Sequence, residues 1–236
     1  MQRYFDQIDA LNDIGAVLEF ARDVFAQLGV VRVSYHVTPL FDEPNSTSTA
    51  VYTAGYSDEW LALYEREDFR SSDPRSNRVM QSGHMMTWQD AQRSGTNSAQ
   101  NEAFFDALRS HGLVHGFGIP LFGPGGRDAY CSFDFGKPVG EVATDAVGTV
   151  RSVAQACHQR ICMLLEKSTP TPQLSDREIE VLTWAARGKS QSSIATILDI
   201  SPDTVKTYSK RIYAKLDVTD RVGAVVKALR LGLVKV

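Results

Sequence analysis

The sequence predicts an α/β protein in two parts. The first is an α-β-α sandwich around an antiparallel sheet, and the second an all-α domain of four helices on a helix-turn-helix plan. Three observations carry this. A polar segment, Ser168-Thr169-Pro170-Thr171-Pro172-Gln173, divides the 236 residues and suits a linker because its prolines disfavour helix. Beyond it, four short segments of helical periodicity follow one another between capping residues. Before it, alternating β-branched stretches sit as neighbours joined by turn signals, with helical segments at both ends. The expected domains are 1–167 and 174–236, with the linker at 168–173.

In chain order, Leu11, Ile14, Val17, Leu18, Ala21, Val24, Phe25 and Leu28 recur at helical spacing until Gly29. Val30 to Val37 alternates as a strand. A polar loop containing Pro44, Asn45, Ser46 and Thr47 leads to a second strand near Ala50 to Ala54. Ser57 can cap a helix bearing Trp60, Leu63 and Tyr64. Asp73-Pro74 starts a short helical stretch, and Gly83 to Trp88 reads as loop or strand. Ala99 to Ser110 is a helix burying Phe104, Phe105 and Leu108. Val114 to Phe122 and Ala129 to Phe135 form a hairpin around Gly123-Pro124-Gly125-Gly126. Glu141 to Lys167 is a long helix with Val147, Val150, Ala154, Cys157, Ile161 and Leu164 on one side.

The second domain opens on Ser175-Asp176-Arg177-Glu178, a capping box, with Leu174 and Ile179 placed as a hydrophobic staple. Ile179, Leu182 and Ala186, flanked by Val181 and Ala185, give one apolar face until Gly188. A second helix, Gln191 to Leu198, is opened by Ser190 and buries Ile194, Ala195 and Leu198. The turn Asp199-Ile200-Ser201 leads to Pro202, which suits the first position of a helix because its missing amide needs no partner there. In that third helix, to Leu216, Val205, Ser209, Ile212 and Leu216 share an arc with Tyr208 at its edge. The opposite arc holds Thr207, Lys210 and Ala214, flanked by Lys206 and Arg211. A tight turn followed by a helix with a basic, hydroxylated free face is the arrangement that reads double-stranded DNA; the plainer reading is a solvated helix in a small bundle. A fourth helix, Thr219 to Leu231, is expected to bury Val222, Val226 and Leu229.

Charge agrees with this division. The net charge is −3, but from Ser168 onward there are 11 Lys/Arg against 7 Asp/Glu, or +4, and before it 14 against 21, or −7. Phosphate neutralisation favours the basic part as the nucleic-acid partner. No apolar run approaches the roughly 20 residues of a membrane span, and Met1 to Gln7 is amphipathic rather than a secretory signal. Three cysteines, Cys131, Cys157 and Cys162, have no metal spacing and fit reduced thiols in the cytoplasm. Asn45-Ser46-Thr47 matches a glycosylation acceptor, without meaning in an unsecreted chain. His36, His84, His111, His115 and His158 lack a ligand pattern, so no metal or cofactor is expected. The Gly123 to Gly126 run is not followed by the Gly-Lys-Ser of a phosphate loop. Nothing points to an enzyme.

The C-terminal residues Leu174 to Leu182, Gly188-Lys189, Ile194-Ala195, Ile200-Ser201, Thr204-Val205-Lys206, Ile212, Lys215-Leu216 and Ala228 to Leu233 resemble the LuxR-type DNA-binding domain. Asp199 replaces a glycine common before the Ile-Ser turn, and Tyr208 a frequent histidine. Aspartate tolerates left-handed backbone better than most residues, so the turn is expected to be kept. Trp60, Tyr64, Asp73, Pro74, Trp88 and Gly116 resemble the acyl-homoserine-lactone receptor domain that precedes it, so the two resemblances cover nearly the whole chain. They imply DNA contacts from Thr204, Lys206, Thr207, Lys210 and Arg211, and ligand contacts from Tyr56, Trp60, Tyr64, Asp73, Trp88 and Ser132. They also imply a homodimer on a palindromic promoter site, with RNA polymerase as a further partner.

The chemistry is coherent. A lactone ligand offers a ring carbonyl, an amide N–H and an acyl carbonyl, and needs donors, one acceptor and aromatic walls. The Trp60 indole donates, ionised Asp73 accepts, Tyr56 and Ser132 can donate, and Tyr64 and Trp88 form walls. Taken singly, Trp60 and Tyr64 are more often core, Asp73-Pro74 a turn or cap, and Ser132 structural. Two other readings stay open: a regulator of this type that answers a non-lactone small molecule, and a phosphorylation-dependent response regulator. The second would need a parallel sheet whose strands end in paired acids, and no such strand is visible.

Overall fold

The computed structural model describes residues 1–38, 48–96, 98–168 (backbone alone from 166) and 172–235. The loop at Pro44 to Thr47 and linker residues 169–171 lie outside them. The chain divides into two compact units, Met1–Leu165 and Glu166–Val236.

The first unit runs α1 (Gln2–Ala10), α2 (Ile14–Gln27), β1 (Arg32–Val37), β2 (Ala50–Ala54), α3 (Asp58–Arg66), α4 (Phe69–Ser72), α5 (Arg75–Ser82), β3 (Met86–Thr87), α6 (Trp88–Arg93), α7 (Ala99–Ser110), β4 (Phe117–Leu121), β5 (Ala129–Asp134) and α8 (Thr144–Ser168). Its five strands form one sheet in the order β2-β1-β5-β4-β3, with every pairing antiparallel. The register sorts side chains by face, because successive residues of a strand point to opposite sides. Val33, Tyr35, Cys131, Phe133, Phe117 and Ile119 turn to one side, where they pack with Ile8, Val17, Val24, Phe25, Val150, Val153 and Ile161 of α1, α2 and α8. Phe117, Phe133, Val17 and Val150 are fully buried there, each adding roughly 1.5–3 kcal/mol by leaving water.

Across the sheet lies a second, aromatic cluster of Trp60, Phe69, Trp88, Phe104, Phe105, Leu108 and Leu113. Phe69 and Phe104 meet edge-on at 5.4 Å and 71°, an arrangement their quadrupoles favour. Side chains place the helix starts: Ser57 accepts from the Trp60 amide, Thr87 from Asp90, and Ser98 from Asn101 in a reciprocal capping box. Three elements differ from the sequence expectation. Met1 to Gln7, read only as amphipathic, belongs to a true helix whose Ile8 is buried. Trp88 opens a helix because Thr87 caps it. The long helix starts at Thr144, since Val139–Glu141 turns separately.

The second unit comprises α9 (Asp176–Ala186), α10 (Gln191–Leu198), α11 (Pro202–Leu216) and α12 (Arg221–Arg230) around Val181, Leu182, Ile194, Ala195, Val205, Ile212 and Leu216. The capping box forms in both directions. Its Glu178 is only 2% exposed, yet accepts from the Ser175 amide and from Lys215 Nζ, both at 2.7 Å. Asp199 does take the left-handed conformation (φ 53°), as does Asp217 after α11 (φ 50°). The fourth helix corrects the expectation: Val222, Val226 and Leu229 are 71%, 41% and 38% exposed, and Ala224 and Ala228 are the buried residues. Asp220 caps the helix through the Gly223 amide, and small alanines allow its backbone to approach α9 and α11. The larger apolar residues are left outside.

Candidate ligand cavity and nucleic-acid face

On the aromatic side of the sheet is a cavity of about 260 Å³ lined by Ser34, His36, Val51, Thr53, Tyr56, Trp60, Leu61, Tyr64, Glu65, Arg70 and Arg75. Register builds its floor: Ser34 lies opposite Thr53 on one side and Ser132 on the other, and His36 opposite Val51 and Tyr130. Helix α3, one turn after Tyr56, supplies the Trp60 and Tyr64 wall.

The six residues implied as ligand contacts divide here. Tyr56, Trp60 and Tyr64 line the cavity. Asp73, Trp88 and Ser132 are not among its lining residues. Asp73 and Trp88 touch the lining residue Arg75, and Ser132 is the register partner of the lining residue Ser34. The indole N–H of Trp88 donates to Ser132 Oγ at 3.0 Å, which leaves the Ser132 proton to be donated elsewhere. Gly116 makes this possible, because a Cβ there would come 2.1 Å from the Trp88 ring. Asp73 is clamped by Arg75: Oδ1 accepts from the Arg75 amide and from Nε, both at 2.9 Å, and Oδ2 from Nη2 at 2.8 Å. Both are buried, at 3% and 7% exposure. The guanidinium also lies over the rings of Trp88 and Phe104, 4.6 and 4.8 Å from their centroids. Arg75 thus faces the cavity rather than solvent.

Burial sets the electrostatics. It pushes the His36 imidazole down to about 4, so the ring is neutral at pH 7 and shares a 3.0 Å hydrogen bond with Ser34 Oγ. The Tyr56 hydroxyl rises to about 12 through desolvation and Tyr64 rises for the same reason, so both keep their protons. Desolvation works against charge on Arg75, but the Asp73 carboxylate outweighs it and raises its pKa. The wall therefore offers neutral hydroxyls, an indole, the neutral His36 ring and two ion pairs, Arg75 with Asp73 and Arg70 with Glu65. Ser34, His36, Val51, Thr53, Arg70 and Arg75 were not among the expected contacts. The polar alternation Arg32-x-Ser34-x-His36 along β1 was the available signal.

On the second unit, α11 starts at Pro202 with Ser201 Oγ accepting from the Thr204 amide. Lys206, Thr207, Lys210, Arg211 and Ala214 are exposed, while Val205, Ile212 and Leu216 are buried. Thr204 is half-buried, its hydroxyl 2.8 Å from Ser201 Oγ. The Thr207 hydroxyl donates to the Asp203 carbonyl. The cations thus project together from a helix anchored along its other side.

The profile of the autoinducer binding domain matches residues 13–161, and that of the luxR family of bacterial regulatory proteins matches residues 172–228. The chain belongs to the LuxR-type quorum-sensing transcriptional regulators. Among relatives of this LuxR-type regulator is the quorum sensing-dependent transcriptional regulator RpaR of Rhodopseudomonas palustris, 33% identical over 77% of this chain and 74% of that one. The transcriptional activator TraR of Rhizobium radiobacter is 26% identical over 76% and 78%. SdiA, solved in complex with octanoyl-rac-glycerol, shares the fold with a TM-score of 0.76 and 23% identity, covering 98% of this chain and 94% of that one. The LuxR-type family consists of transcription regulators, not enzymes. Among the described residues no helix is long and apolar enough to cross a membrane, and no His, Cys, Asp or Glu cluster could hold a metal.

Proposed function

We propose that this regulator binds an N-acyl-homoserine lactone in the α3-side cavity and, as a homodimer in the cytoplasm, reads a palindromic promoter site through α11. In this reading residues 1–167 sense and dimerise, 168–173 link, and 174–236 bind DNA and present a surface to RNA polymerase. The observation that supports it most is the cavity wall, where aromatic rings and polar groups line one cavity, as an amide-bearing amphiphile requires. Trp60 donates to the ring carbonyl, Asp73 accepts the amide N–H, and Tyr56 or Ser132 donates to the acyl carbonyl. Tyr64 and Trp88 enclose the tail.

A thermal-shift series of lactones of increasing chain length tests this. At 100 times its dissociation constant a ligand should add about 2.7 kcal/mol to stability, read as a rise in Tm. A monoacylglycerol belongs in the same series, because SdiA holds one. If it raises Tm and no lactone does, the ligand is a non-lactone acyl compound.

The DNA reading has its own test. Lys206 and Arg211 flank Thr207 and Lys210 on the exposed arc, with Thr204 at the start of the helix. If Lys210 contacts a base edge in the major groove, Lys210→Ala should cost about 1–3 kcal/mol on the specific site and relax preference there. Unaltered affinity for both specific and random duplexes in a salt titration would remove α11 as the reading helix.

A further inference from the structure

The exposed arc of α11 carries an acid at its centre. At 100° per residue, Asp203, Thr207, Lys210 and Ala214 fall within roughly 60° of one another, with Lys206 and Arg211 on either side. All six are exposed. The Thr207 hydroxyl donates to the Asp203 carbonyl at 2.9 Å, one turn back along the same stripe. The first turn is held in place, because Pro202 takes the first helical position and Ser201 Oγ accepts from the Thr204 amide at 3.0 Å. The carboxylate is also not neutralised. Among the described residues, the ion pairs of the second unit join Arg177 to Glu180 and Lys215 to Glu178, and Asp203 is in neither.

That placement works against DNA binding in general. A duplex carries one negative charge per about 1.7 Å of its axis, and its field repels Asp203 as it attracts Lys206, Lys210 and Arg211. A carboxylate only accepts hydrogen bonds. Phosphate oxygens and the N7, O6 and O4 atoms of the bases therefore offer it nothing. Two base groups in the major groove can donate, cytosine N4 and adenine N6. Adenine N6 stands beside the acceptor N7 on the same edge, whereas cytosine presents its donor alone. The helix dipole favours an acid in a first turn, but that benefit is the same on every DNA sequence.

We propose that Asp203 determines specificity: its carboxylate accepts from cytosine N4 in the major groove and so selects a C·G pair beneath the first turn of α11. This rests on the reading of DNA by α11 and not on the identity of the small molecule. Lys206, Lys210 and Arg211 attract any duplex, and Asp203 subtracts from that attraction unless a cytosine stands in register. Discrimination then comes from a penalty on wrong sites as much as from a contact on the right one.

Selection from a randomised duplex pool by the full chain, with and without N-octanoyl-homoserine lactone, tests the proposal when followed by titrations on enriched and random duplexes. Wild type should enrich a C·G pair at one position of its motif. Asp203→Ala should lose roughly 5- to 150-fold of the discrimination at that position alone. It should also bind random duplex about 2- to 5-fold more tightly, because one repulsive charge is gone. Asp203→Asn, whose amide can pair with adenine N6 and N7, should move the preference there to adenine. Both variants should melt close to wild type, since the side chain is exposed and the Thr207 bond goes to the backbone. Tighter binding to every sequence with the motif unchanged would overturn the proposal, leaving α11 as the reading helix and its acid in the service of the dipole. Unchanged binding in both variants would place Asp203 off the DNA and overturn it as well. A wild-type pool with no enriched motif would remove the reading by α11 itself.

Discussion

Asp73→Ala should destabilise the ligand-free protein by about 3–5 kcal/mol, the usual effect of stripping the partner from a buried ion pair. The loss is larger than for a helix cap, which costs at most about 2 kcal/mol. Arg75 would keep its charge at 7% exposure with its four hydrogen bonds to the carboxylate removed. Urea unfolding without ligand measures it, and a double-mutant cycle assigns it. Adding Arg75→Met to Asp73→Ala should recover most of the stability, because no uncompensated charge remains, giving a coupling energy well above the few tenths expected of independent sites. Wild-type stability in the single variant would mean that the pair contributes nothing. The result also affects how ligand-binding variants are read. A carboxylate that the resemblance marks as a ligand acceptor is here also a structural partner, so weakened binding in Asp73→Ala has to be measured against its own ligand-free melting.

The fragment from Ser168 to Val236 should fold, since it holds a core of its own around Val205, Ile212 and Leu216, but bind the palindromic site about 10²–10⁴-fold more weakly than the full chain. Joining two reading helices through a dimer makes the second contact intramolecular, and gains of that size follow without any new contact. Side-by-side titrations on one operator, with sedimentation to establish the bound stoichiometry, give the comparison. A fragment as tight as the full chain would show that residues before the linker contribute nothing to assembly on DNA.

The helix-turn-helix was readable in advance because local rules decide it. Capping at Ser175, Ser190 and Ser201 and proline at the first turn of α11 act within a few residues of themselves. The α12 face was misread because its apolar residues outnumber its alanines, and hydrophobicity alone ranks Val222 above Ala224. Close helix packing reverses that order, and closeness is a tertiary property. The cavity was half visible. Tyr56, Trp60 and Tyr64 sit on one helical turn and its approach, so spacing groups them. Ser34, His36 and Tyr130 join them only through a strand register between residues about a hundred positions apart. Arg75 directly follows Asp73-Pro74, but its orientation depends on rings from α6 and α7.

The sheet register also separates two kinds of evolutionary freedom. On β1 and β5 the odd-numbered residues Val33, Tyr35, Cys131 and Phe133 face the packed helices, and the even-numbered Ser34, His36, Tyr130 and Ser132 face the cavity side. Substitutions at even positions can change which small molecule is heard while the odd positions go on holding the domain together. A lineage of such receptors can therefore diverge in the signal it answers by drifting at alternate residues of the same two strands.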